Sequence, residues 1–179
     1  MLTFVSGFGR CGSSLVMQML NVAGLRCPGR YPAFEVDDTP AAARSGEFDA
    51  VKWLDPEPVD GRAPAGCRFI WIDRNPDAQG ESMSKFMTAA GERRRAMTPA
   101  EYAAVMRRYR DESVAFLASM GAVCVLRFED LLVNPVEAAR TLASLVGQGD
   151  PEKMAAVVFA RGPECLPGLL EEELARRNR

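Results

Sequence analysis

At 179 residues, 47% hydrophobic and 26% charged, the chain has the size and balance of a single globular domain (1–179) that can bury a full core. Its net charge of −2 gives no overall pull toward nucleic acid or an anionic bilayer, so a nucleic-acid partner is not expected. No apolar stretch is long enough to span a membrane and no basic-then-apolar leader opens the chain, which points to a reduced, cytoplasmic protein.

The first element reads as a buried strand from Leu2 to Val5, followed by Gly7-Phe8-Gly9-Arg10-Cys11-Gly12-Ser13-Ser14. Leu15, Val16, Met19, Leu20 and Ala23 then mark the buried face of a helix. Strand, glycine turn and helix N-terminus bring backbone N–H groups and the helix dipole onto one anion. The glycines permit close approach to a phosphate, and Ser13 and Ser14 add hydroxyl donors. A Walker A loop would carry lysine where Ser13 stands, so the nearest cation is Arg10, inside the loop.

Next comes an acidic, Pro/Gly-rich stretch from Cys27 to Phe48 with little periodicity, long enough to be functional or mobile. Ala50 to Leu54 predicts a short strand, with Lys52 placed after it as a candidate anion contact. Cys67 to Asp73 is the clearest strand, and Ala122 to Phe128 the last. Helix starts recur as a capping residue followed by proline: Asn75-Pro76, Thr98-Pro99, Asn134-Pro135 and Asp150-Pro151. Thr98 with Glu101 and Asn134 with Glu137 add the capping-box glutamate.

Tyr102, Val105, Met106, Tyr109, Phe116, Leu117 and Met120 predict a core stripe on one long helix. Val136, Ala139, Leu142, Ala143 and Val146 do the same on the next. The segment from Leu166 to Arg179 is weakly helical and charged. Strands spaced by such helices imply an α/β fold, a mostly parallel sheet covered on both faces.

The five cysteines form no C-x-x-C pair, and there is no histidine to complete a zinc set, so no metal is expected. Cys67 and Cys124 read as buried thiols. Cys11 lies where a helix N-terminus and Arg10 would lower a thiol pKa, yet reads as a small loop-filling residue. Arg93-Arg94-Arg95 and Arg107-Arg108 read as solvated helix faces.

Ligands of parallel sheets lie at the carboxyl ends of the strands. Arg74 leaves one such end, with Ser82 and Lys85 on the helix begun at Asn75. An arginine fork with a serine hydroxyl suits a second phosphate; the bland alternative is a surface ion pair of Arg74 with Asp73 or Asp77.

The segments Gly9-Arg10-Cys11-Gly12-Ser13-Ser14-Leu15, Arg74-Asn75-Pro76 with Ser82, and Leu126-Arg127-Phe128-Glu129-Asp130-Leu131 running to Asn134-Pro135 occur in that order. Together they resemble the sulfotransferases that use 3′-phosphoadenosine 5′-phosphosulfate (PAPS), whose loop reads roughly P-[KR]-[SC]-G-[ST]-[ST]. The chain departs from that pattern at Gly9, where proline is common. It is also shorter than most members, and of the family's C-terminal R-K-G-x-x-G loop only Arg161-Gly162 is an echo.

The resemblance implies a three-layer α/β/α, P-loop-type fold and metal-free transfer of a sulfuryl group from PAPS to a hydroxyl or amine, leaving adenosine 3′,5′-bisphosphate. Gly9, Arg10, Cys11, Gly12, Ser13 and Ser14 would hold the 5′-phosphosulfate, and Arg74 and Ser82 the 3′-phosphate. Arg10 would clamp the charge that develops on the leaving phosphate. The general base would be Glu35, which an apolar, aromatic approach (Tyr31 to Phe34) could desolvate, with Asp37 and Asp38 as rivals. A small-molecule or glycan acceptor is the implied partner, its pocket shaped by Cys27 to Phe48 and the helices between Met83 and Met120. Two other readings compete: a P-loop phosphotransferase with Asp73 as magnesium-binding acid, and a non-catalytic relative that keeps nucleotide affinity alone.

Overall fold

The computed structural model describes residues 1–56, 63–64, 66–92 and 97–159. Four strands, β1 (Thr3–Gly7), β2 (Ala50–Leu54), β3 (Arg68–Asp73) and β4 (Ala122–Arg127), form one sheet in the order β2-β1-β3-β4. All three pairings are parallel; Ser6 sits opposite Trp53 on one side and Trp71 on the other. Parallel strands need crossover connections, and helices within 13–44 link β1 to β2 while helices within 76–118 link β3 to β4.

The two central strands carry continuous apolar runs because both of their faces are covered. On one face Val5, Ile70 and Ile72 pack against α1 (Ser13–Val22), α6 (Pro135–Val146) and α7 (Pro151–Phe159) through Leu15, Met19, Leu142 and Met154. On the other, Phe4, Phe69 and Trp71 meet Leu117 of α4 (Pro99–Ala118), with Ala42 and Ala43 of α2 (Thr39–Arg44) at the border. Truncating a fully buried Ile70 or Ile72 to Ala in such a core costs about 2–5 kcal/mol.

α3 (Pro76–Ala89) leans on α4 rather than on the sheet. Gly80 permits this approach, since a Cβ there would strike the Pro99 carbonyl. The order β2-β1-β3 places the reversal of winding between β1 and β3, the point at whose carboxyl ends sheets of this kind form their ligand crevice.

Several expectations from the sequence change here. The stretch from Cys27 to Phe48 contains α2, whose start is capped by the Asp38 carboxylate accepting the Ala41 N–H at 2.7 Å. β4 stops at Arg127 rather than Phe128, and Phe128 opens a short helix, α5 (Phe128–Val133).

The capping box of Thr98 and Glu101 forms, but that of Asn134 and Glu137 does not. Asn134 closes α5 and opens α6 at once, with a backbone that directs its side chain away, and Glu137 pairs with Arg140 instead. In the α4 stripe Tyr102, Met106 and Leu117 are buried, whereas Val105 and Tyr109 remain about 40% exposed, because α3 covers only part of that face. Arg93 to Arg95, Arg161-Gly162, Cys165 and Leu166 to Arg179 lie outside the described residues.

Candidate functional site

The loop between β1 and α1 turns through two left-handed residues, Arg10 (φ 67°) and Gly12 (φ 104°). Gly12 is required on two grounds: its φ, and the ring of Phe128, which lies where a Cβ would stand. It is the N-cap of α1 and supplies no side-chain cap, while the Leu15 N–H bonds the Gly12 carbonyl at 3.0 Å; the positive end of the helix dipole lies at this loop. Cys11 is fully buried behind the turn, and that burial pushes its thiol up to about 11 against the hydrogen bonds from Ser13 and the Lys52 charge. It fills space and is no nucleophile.

Three distant segments converge on this loop. Arg74, released from the end of β3, donates through Nη1 to the Arg10 carbonyl at 2.6 Å and stacks its guanidinium 4.6 Å over the Phe128 ring. Ser82, two turns along α3, accepts from Arg10 Nε at 3.4 Å. The Arg10 guanidinium also lies over Phe86, 5.1 Å from the ring centre. Glu129 accepts the Asn75 N–H at 2.8 Å, which ties the start of α5 to the start of α3. The Phe128-Glu129 pair thus sets the position of Arg74 from beneath.

The surface ion pair considered for Arg74 does not form. Asp73 is held by Arg110 through Nε and Nη2, and Asp77 by Arg107. Among the described residues no carboxylate is in salt-bridge contact with Arg74, which is more than half buried. Burial, and then the Arg10 charge beside it, press its pKa below the ordinary arginine value; a guanidinium nonetheless stays charged.

Lys52 stands inside β2, not after it, and is buried on the α1 face. Its ammonium donates to Ser14 Oγ at 2.9 Å and to Glu35 Oε1 at 2.8 Å. This places Glu35 next to the loop, as the sequence suggested, but in a different environment. Its side chain is 58% exposed and paired with a cation, so the desolvation expected from Tyr31 to Phe34 is absent. The aromatic approach turns inward without it: Phe34 is buried in the core in a left-handed conformation, and Gln18 of α1 holds the Pro32 carbonyl at 2.6 Å. Of the rival acids, Asp37 is exposed and Asp38 is spent on capping α2.

Two residues at the site carry no signal in the sequence. Gln79, buried on α3, donates its amide to the carbonyls of Phe8 (3.0 Å) and Gly9 (2.9 Å). Asp55, the residue after β2, accepts the Gly9 N–H at 3.1 Å. Neither sits in a motif, and each reaches the loop only because β2 and β3 flank β1, with α3 leaving the end of β3.

The arrangement is suited to a ligand with two anionic groups: one at the helix N-terminus beside Arg10, Lys52 and Ser14, the other near Arg74 and Ser82. No protein-family model matches the sequence, and no curated protein matches it. Among solved structures, mouse sulfotransferase SULT7A1 complexed with PAP superposes with a TM-score of 0.62 at 12% identity, over 89% of this chain and 63% of the mouse protein. A sulfotransferase from Alicyclobacillus acidocaldarius covers 97% of this chain and 91% of its own at 18% identity, with a TM-score of 0.43. The likeness to the mouse protein is one of architecture: the chain has the α/β, P-loop-type fold found in sulfotransferases, and spans about 63% of that protein's length.

Proposed function

We propose that this chain transfers a sulfuryl group from PAPS to a hydroxyl or amine of a small-molecule or glycan acceptor. The observation that carries the reading is the meeting of Arg74, Ser82 and the phosphate loop at Arg10, three segments that lie up to 72 residues apart in sequence. The fold shared with SULT7A1, whose structure contains PAP, supports it.

PAPS supplies the activated sulfuryl group, whose bond to the 5′-phosphate is exchanged for one to the acceptor. The chain's residues fit that donor: the uncapped amides of α1, the Ser13 and Ser14 hydroxyls and Arg10 would take the 5′-phosphosulfate. Arg74 and Ser82 would hold the 3′-phosphate and so distinguish the donor from ATP. Arg10 places a permanent charge where negative charge accumulates on the leaving phosphate. Lys52 adds a second cation on the opposite side of Ser14. Glu35 would accept the acceptor's proton, and Lys52 would steady its carboxylate on the loop's open side.

The competing phosphotransferase reading needs Asp73 as a magnesium ligand. The bidentate hold of Arg110 on that carboxylate speaks against it. Thermal-shift titration tests the proposal: adenosine 3′,5′-bisphosphate should stabilise the protein without Mg²⁺, and a response to Mg-ATP alone overturns it. A transfer assay with PAPS over an acceptor panel then separates an enzyme from a binding relative. In that assay Glu35→Gln should lower turnover at least about a hundredfold; full activity removes Glu35 as the base.

A further inference from the structure

We propose that Asp55 is a positioning residue that clamps the phosphate loop in its anion-binding form, an inference that rests on the loop being an anion site. Asp55 follows the last residue of β2 and makes two bonds to one short stretch. Its backbone N–H donates to the Gly7 carbonyl at 3.0 Å, and its carboxylate Oδ1 accepts the Gly9 N–H at 3.1 Å. One residue of the neighbouring strand thereby holds both ends of Gly7-Phe8-Gly9. Gln79 closes the same stretch from α3 through the Phe8 and Gly9 carbonyls.

The backbone of Asp55 is left-handed, with φ 50°, a conformation that costs a non-glycine residue free energy unless its surroundings impose it. Arg10, one residue beyond the clamped amide, is left-handed as well. Two unfavourable backbone conformations therefore share one hydrogen-bonded frame, with Gly9 in the middle. Gly9 has the greatest conformational freedom of any residue type, and it retains an N–H that a proline at this position would lack. The carboxylate of Asp55 restricts through a hydrogen bond what a proline ring would restrict covalently. Fixing Gly9 fixes the direction in which Arg10 leaves the loop toward Ser82.

The sign of the effect separates this role from simple electrostatics. A carboxylate beside an anion site repels the anion, so an Asp55 acting through charge alone would weaken binding and its removal would tighten it. A clamp predicts the reverse. Asp55→Asn keeps an oxygen acceptor and drops the charge, and Asn tolerates the left-handed backbone. Asp55→Gly removes the acceptor while suiting φ 50°, so backbone strain does not confuse the result.

The test uses the full chain and two readouts: amide hydrogen exchange at Gly9 and Arg10 by NMR in the ligand-free protein, and calorimetric affinity for adenosine 3′,5′-bisphosphate. Asp55→Gly should speed exchange at Gly9 about tenfold or more and weaken bisphosphate binding about tenfold, the size expected for a lost hydrogen bond to a charged group. Asp55→Asn should restore both to within about threefold of wild type. Unchanged exchange in Asp55→Gly overturns the clamp, as does bisphosphate affinity equal to or tighter than wild type. So does an Asn variant as impaired as the Gly variant. Wild-type protein that does not bind the bisphosphate would defeat the PAPS reading, while the exchange measurement would still decide whether Asp55 holds the loop.

Discussion

The turn after β3 sends charge in two directions, and the two sides of it are built differently. On the α4 side, Asp73 and Asp77 are met by Arg110 and Arg107. Asp73, and then Asp111, hold the Arg110 guanidinium above its usual value, as a structural ion pair should. On the loop side Arg74 comes from the same five-residue segment, yet is left with a backbone carbonyl and an aromatic ring. Its pKa moves the other way, downward, through burial and the Arg10 charge. A neutralised cluster binds protein to protein; a half-buried cation beside a like charge is stabilised by an added anion. On this contrast Arg74 would gain from an added anion, whereas Arg107 and Arg110 would not.

Substitutions on the two sides should therefore differ in kind. The largest effect is expected at Arg10, where Arg10→Ala should lower turnover about a hundredfold or more while the protein still folds. Intact turnover in a steady-state transfer assay would mean that the loop has been misread. Arg74→Ala should weaken binding of adenosine 3′,5′-bisphosphate by about ten- to a hundredfold, the range for a lost charge-assisted hydrogen bond.

Arg110→Ala should instead leave that affinity within about threefold and lower Tm by about 2–4 °C, the scale for roughly 1 kcal/mol in a partly exposed pair. If Arg110→Ala impaired the bisphosphate and Arg74→Ala did not, the contrast between the two sides would be reversed.

The smallest effect lies far from both sides, at the exposed pair of Arg26 and Asp49. Hydrogen bonds from Arg26 lower the Asp49 pKa to about 2. Because the folded value is depressed below the unfolded one near 4, this contribution is present at neutral pH and fades as pH falls from about 4 to 2. Asp49→Asn should cost about 1–2 °C in Tm at pH 7, given the exposure of both partners, and little at pH 2. A difference that persists at pH 2 would assign the loss to packing rather than charge.

The fold was legible because its signals are local. Proline after a capping residue marked Pro76, Pro99, Pro135 and Pro151 as helix starts, and unbroken apolar runs marked the central strands. Asn75 shows the cap at work, its side chain accepting the Asp77 and Ala78 N–H groups. Where the reading erred, two elements abut. Phe128 could continue a strand or begin a helix, and Asn134 ends one helix while opening the next, so local preference had no single answer.

The site divides along the same line. Gly12, Ser13, Ser14, Arg10, Arg74 and Ser82 stand out as candidates because glycine turns, helix starts and charges after strands have a chemistry that shows in short stretches of sequence. Pairing is not local. That Lys52 lies between Ser14 and Glu35, that Asp73 is taken by Arg110, and that Asp55 and Gln79 hold the loop all depend on which strands and helices become neighbours. By itself the sequence determined the elements, the phosphate loop and the cations that serve it, through backbone preference and hydrophobic period. Only the order β2-β1-β3-β4 decided which side chains meet at the loop and which carboxylates Arg107 and Arg110 take, because electrostatic balance is settled by distance in space.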